Sequence, residues 1–135
     1  MAEKEFNVKI ITPDRIFYDG TASMVEFNTT EGEIGVYPEH IPLTTILSPG
    51  VLTIHDDSGL KTAALHSGFA EIREDRVTFL AEIAEWPDEI DVRRAEQAEK
   101  RARERLTGHK IDVDTARAEL ALKRALARES ASAKR

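Results

Sequence analysis

Four arginines carry the most chemistry in this 135-residue chain. Arg94 and Arg101 stand seven residues apart, and Arg124 and Arg128 stand four apart. On a helix, at about 100° per residue, the first pair lies within about 20° and the second within about 40°. Guanidiniums held side by side repel one another and favour a bound anion, and the planar fork of donors suits phosphate. Spacing alone also allows a solvated basic face, because Glu96, Glu99, Glu104 and Glu119 are interleaved with the arginines. Other chemistry finds less. There is no cysteine, hence no thiol nucleophile, thiolate metal site or disulfide. His55, His66 and His109 have no metal-ligand spacing and read as structural or exposed. No Gly-x-x-x-x-Gly-Lys-Ser/Thr phosphate loop, Gly-x-Ser-x-Gly elbow or His-Glu-x-x-His pair is present. The residues favour a non-catalytic protein that requires no metal.

The elements that must hold the arginines are written almost twice. RAEQAEKRA (94–102) and RAELALKRA (117–125) match at seven of nine positions. Ala95, Ala98 and Ala102 recur at i, i+3 and i+7, and so do Ala118, Ala121 and Ala125. Residues 92–106 are strong helix formers, Asp91 is placed as an N-cap, and Thr107-Gly108 is a stop. A second helix starts at Asp112 or Asp114. The short connection predicts an antiparallel hairpin over residues 90–135, closed along two alanine seams. Alanine buries little area at ~25 cal/mol per Å2, so the hairpin should form readily and dock weakly. An element held so lightly can move when a ligand biases it.

Upstream the period changes. Residues 5–12 alternate with Phe6, Val8 and Ile10 on one face, and 24–29, 51–55, 62–66, 69–73 and 76–82 read the same way. Turn signals separate them, and no helical period occurs before Pro87. The expected fold is a β sandwich or barrel over residues 1–85, followed by the helical hairpin. Charge divides similarly: residues 1–90 carry a net −11 and residues 91–135 a net +5, which together give the chain's −6. No apolar run reaches the ~18 residues of a membrane span, and MAEKEFNVKI lacks the apolar core of a secretory signal.

Three stretches resemble one family. GEIGVYPEHIPL (32–43), HSGFAEI (66–72) and IDVRRA (90–95), in that order and followed by an Ala/Arg hairpin, are similar to the epsilon subunit of the bacterial F-type ATP synthase. The resemblance covers nearly the whole chain. It implies a β sandwich that binds the gamma subunit and rests on the c-subunit ring, at the cytoplasmic face of the plasma membrane as a peripheral part of a proton- or sodium-translocating complex. It implies a mobile hairpin that inhibits ATP hydrolysis when it extends into the catalytic alpha/beta hexamer. In some bacterial members ATP, a regulatory ligand, holds the hairpin folded through an Ile/Leu-Asp-x-x-Arg-Ala motif. That motif stands here as Ile90, Asp91, Arg94 and Ala95, and the resemblance adds Glu85, Arg101, Arg124 and Arg128. It places His40 near the gamma interface and Glu31 in a loop facing the c ring. The chain departs from the family pattern at His66 and Ala70, and at Glu39, where glycine is common. Two other functions fit the residues: a nucleic-acid-binding protein using the basic helices, and a structural assembly subunit that binds no nucleotide. The acidic body and the interleaved glutamates weigh against the first.

Overall fold

The structure is a computed structural model, and it describes residues 4–108 and 114–133. Eight strands come first: β1 (Phe6–Ile11), β2 (Ile16–Ala22), β3 (Met24–Thr29), β4 (Gly32–Val36), β5 (Leu43–Leu47), β6 (Gly50–Asp56), β7 (Gly59–Ile72) and β8 (Arg76–Glu85). A 3-10 turn at Pro87–Glu89 leads into α1 (Val92–Thr107) and then α2 (Thr115–Ser132). The strands run β2-β1-β8-β7-β5-β3-β4, with β6 bridging β3 and β7, so the sheet folds over on itself as a sandwich. All pairings are antiparallel except β1 with β8.

Alternation decides the core. Phe6, Val8 and Ile10 are buried from β1, Val25 and Phe27 from β3, and Val77 and Phe79 from β8. Phe27 and Phe79 meet edge to face with ring centroids 4.8 Å apart. The stretches 62–66 and 69–73, expected as two strands, are one strand with a kink. The first half of β7 pairs with β6 and the second half with β5. At the kink Ser67 has φ 48° and Gly68 has φ 135°. A Cβ on Gly68 would lie 1.9 Å from the Leu80 carbonyl oxygen. Gly68→Ala should therefore cost about 3 kcal/mol or more, whereas Gly59→Ala, at φ +117° but in open space, should cost about 1. Urea unfolding of the two variants checks the contrast. Glu39, the departure in the PEHIPL loop, has φ 65°, a left-handed conformation that glycine adopts at no cost.

Both helices start at aspartates. Asp91 accepts from the Arg94 N–H at 3.2 Å and Asp114 from the Arg117 N–H at 3.1 Å. Asp114 is thus the second cap, and Asp112 lies outside the described residues. Ala95 and Ala102 of α1 and Ala118 and Ala125 of α2 are buried, as the seams require. Glu99, midway along α1, faces Glu129, late in α2. The helix α2 also packs on β6 and β7, where Ala131 meets Ala64 and Ile90, with Val51 at the margin. The hairpin is therefore seated on the sandwich mainly by alanines, which contribute little burial energy each.

Candidate nucleotide site at the joint

The joint between sandwich and hairpin is anchored from the sandwich side. Trp86 stacks on Phe17 at 4.3 Å and meets Tyr18 edge-on at 6.1 Å. Arg15 reaches across from the β1–β2 turn and grips both oxygens of Glu89 at 3.0 and 2.8 Å. Glu89 also accepts from the Trp86 N–H at 2.9 Å. The turn that precedes α1 is thereby fixed to β2, and this sets where α1 begins.

Beside this anchor lies a cavity of about 350 Å3, within the usual span of small-ligand clefts of roughly 300–1,000 Å3. Its acidic wall is Glu85 from the end of β8, Glu89 from the turn and Asp91 from the helix cap. Its basic wall is Arg94 and Arg101 from α1 and Arg128 from α2. Ala95 and Ala98 line the floor between them, where larger side chains would fill the space. Among the described residues Arg94 and Arg101 carry no ion pair. Arg128 donates from Nε to Glu85 Oε1 at 2.7 Å, and the buried His66 places its Nε2 at 3.1 Å from the same oxygen. Burial would raise the Glu85 carboxyl, but the bonds from His66 and Arg128 and the charge of Arg128 outweigh it and hold it below its ordinary value. Glu85 is thus an ionised acceptor beside guanidiniums whose charge is unbalanced.

Two of the expected residues sit elsewhere. Arg124 is not in the cavity wall; its Nη2 donates to Ser67 Oγ at 3.4 Å and lies 3.8 Å from Glu82. Ile90 is buried against Ala64 and Ala131 and secures the seat of α2 rather than lining the cavity. Three residues of the site had not been singled out from the sequence for it: Glu89, Ala98 and His66. Glu89 lies within the acidic WPDE cluster, and Ala98 belongs to the seam. For His66 the signal is its place, polar, in the apolar TAALH run.

A second cavity, of about 370 Å3, lies between α2 and β6. It presents one ammonium, Lys123, against Glu33, with no converging guanidiniums, so it has less to offer an anion. Among the described residues no group of three His, Cys, Asp or Glu side chains is arranged to hold a metal. None of their helices is long and apolar enough to cross a membrane.

The interface residues are on other surfaces. Glu31 is exposed in the turn between β3 and β4. His40 is half-buried with its ring 5.8 Å from Phe6, and both ring nitrogens are buried without a partner. Across β5, β7 and β8, the directly paired Ile46, Phe69 and Leu80 form an apolar row, each about half exposed at 52%, 51% and 46%. Ile11 of β1, paired with Leu80, extends the row.

Comparison with known proteins gives the same answer for both parts of the chain. The beta-sandwich domain of the ATP synthase delta/epsilon chain matches residues 5–87, and the long alpha-helix domain of the same chain matches 88–132. The ATP synthase epsilon chain of Caldanaerobacter subterraneus subsp. tengcongensis is 46% identical over 127 residues, covering 93% of this chain and 92% of that one. That of Halalkalibacterium halodurans is 45% identical over 120 residues, covering 88% and 90%. A chain in the cryo-EM structure of the Euglena gracilis mitochondrial ATP synthase, OSCP/F1/c-ring, superposes with a TM-score of 0.82 over 94% of this chain and 81% of that one. At 23% identity that likeness bears on the fold alone. With two family models spanning the sandwich and the helices in order, this chain belongs to the ATP synthase delta/epsilon family as an epsilon chain, a non-catalytic subunit of the F-type complex.

Proposed function

We propose that this epsilon chain couples the rotor and regulates it, with ATP bound in the joint cavity holding the hairpin folded. Released, the hairpin extends toward the catalytic alpha/beta hexamer and impedes hydrolysis. The observation that carries this reading is the build of the cavity: Glu85 comes from the sandwich, Arg94 and Arg101 from α1, and Arg128 from α2. A ligand touching all three parts binds only while the hairpin is docked. Its stabilisation then follows RT ln(1 + [L]/Kd), about 2.7 kcal/mol at a hundredfold excess. That is enough to retain an alanine-seated hairpin at high ATP and release it at low ATP.

The roles follow from the donors and acceptors. Arg94, Arg101 and Arg128 would take the phosphates. Glu85 and Asp91 can only accept while ionised, so they suit the adenine amino group or the ribose hydroxyls. Ala95 and Ala98 leave room for the base or sugar. Calorimetric titration of the full chain with ATP tests the reading. Saturable binding is expected; no heat and no thermal stabilisation at millimolar ATP would leave a coupling subunit that does not sense nucleotide.

The apolar row of Ile46, Phe69 and Leu80 supports a second part of the proposal, docking on gamma, because paired residues on adjacent strands form one continuous face. Glu31, in its exposed turn, would face the c ring, and the complex would place this chain at the cytoplasmic face of the membrane. Phe69→Asp should weaken binding to purified gamma by ~30-fold or more, the loss expected on charging the centre of an interface. Binding within threefold of wild type would remove that face from the interface.

A further inference from the structure

We infer that His66 is a positioning residue for the nucleotide site, holding the Glu85 carboxylate in place when Arg128 turns from it toward a ligand phosphate; the inference rests on the cavity taking ATP. In the structure both bonds to Glu85 end on Oε1, one from Arg128 Nε at 2.7 Å and one from His66 Nε2 at 3.1 Å. Oε2 is the oxygen left for a ligand. The two donors are not equivalent. Arg128 is on α2, is 28% exposed and lines the cavity. A phosphate entering there competes for its guanidinium with a larger charge than Glu85 offers. His66 is on β7 in the sandwich, its side chain is 0% exposed, and no ligand in the cavity draws it away.

Without His66, the move of Arg128 to phosphate would strip a half-buried carboxylate of its donors. It would then swing out to water or take up a proton, and in either case its acceptor would be lost to the ligand. With His66, one donor stays. The tautomer is fixed by the same geometry. An ionised carboxylate only accepts, so Nε2 must carry the hydrogen. In the neutral ring Nδ1 is then a bare lone pair, and it is buried with no partner. A buried unpartnered acceptor costs stability and calls for a reason. Presenting Nε2–H to Glu85 supplies one. Ser67, the next residue, accepts from Arg124, so the β7 kink gives two successive side chains to the contacts made by the α2 arginines.

The test is a double-mutant cycle on the full chain with ATP as titrant: wild type, His66→Leu, Glu85→Gln, and both together. His66→Leu is expected to weaken ATP binding about tenfold in the wild-type background and less than twofold in Glu85→Gln. His66→Gln, which restores an N–H donor, should bind within threefold of wild type and guards against a leucine variant that fails to fold. Imidazole nitrogen shifts of the full chain should show the Nε2–H tautomer of His66. A binding wild type beside an unchanged His66→Leu, additive losses in the cycle, or an Nδ1–H tautomer would each overturn this inference alone. A wild type that does not bind ATP would overturn the nucleotide reading and this inference with it.

Discussion

Arg128→Ala is expected to weaken ATP binding by the full chain about a hundredfold, and Arg124→Ala by tenfold or less. Helical spacing treats the two arginines alike, and the fold separates them. Arg128 faces the cavity and bonds Glu85, whereas Arg124 lies over Ser67 and Glu82 outside the cavity wall. Losing one charge-assisted contact to phosphate costs about 1.5–3 kcal/mol, or roughly 10- to 150-fold. The planar fork of Arg128 can give a phosphate two such bonds, which places Arg128→Ala near the upper end of that range. Arg124, outside the cavity wall, would act on a bound phosphate only through a longer, partly screened distance. Arg128→Lys should recover little, since an ammonium is a point charge that cannot give a phosphate the two parallel bonds of a planar fork. Calorimetric Kd values for the three variants decide the matter. Equal losses at positions 124 and 128 would mean that the α2 register changes on binding, and the cavity at the joint would not be the bound site.

The strands whose buried residues alternate cleanly were legible in the sequence, and those with only one or two buried positions were missed. Phe6, Val8 and Ile10 alternate and are buried, so β1 was readable. The strands β2, β4 and β5 were not predicted. Ile16 in β2 is 59% exposed, β4 has glycine at two of its five positions, and β5 exposes Leu43 and Ile46 to 53% and 52%. An apolar side chain that points outward breaks the period on which strand reading relies. The hairpin was readable because capping and alanine periodicity are local, and the aspartate caps and buried seams are as expected. Arg94, Arg101 and Arg128 were brought together by helix geometry and the motif. Glu85 is also in the wall, but its two partners were not legible as partners. His66 and Glu85 are 19 residues apart, and Arg128 is 43 from Glu85; only the β7–β8 pairing and the seat of α2 bring them together. Glu89 was hidden for the same reason, since Arg15 lies 74 residues away.

Glu129→Gln is expected to stabilise the docked hairpin at pH 8 and to flatten its pH dependence. Glu129 faces α1 across the seam, where Glu99, Glu96 and Arg103 lie near it. Its Oε2 is buried with no partner. Burial, then the bond to Glu99 and the charges of Glu99 and Glu96, push its carboxyl up from 4.5 to about 7. Arg103 donates to Glu99 at 2.6 Å and holds that carboxyl below its ordinary value, so the shared proton rests on Glu129. The folded hairpin therefore binds this proton more tightly than the unfolded one. Its stabilising effect is complete below about pH 4.5, falls away as pH rises, and is gone above about pH 7. Glu99 has the opposite sign, but its contribution is lost only in the acid range below its ordinary value. After discounting for solvent screening, the Glu129 effect is on the order of 1 kcal/mol between pH 5 and 8. Glutamine donates to Glu99 at any pH and needs no proton to do so. Urea unfolding of wild type and Glu129→Gln at pH 5 and pH 8 isolates this effect, because every other ionisable group is common to both proteins. Parallel pH slopes in the two proteins would show that the seam holds no proton. A slope lost in the variant would make the hairpin a lighter latch in alkaline conditions, and ATP would then have to supply more of its hold there.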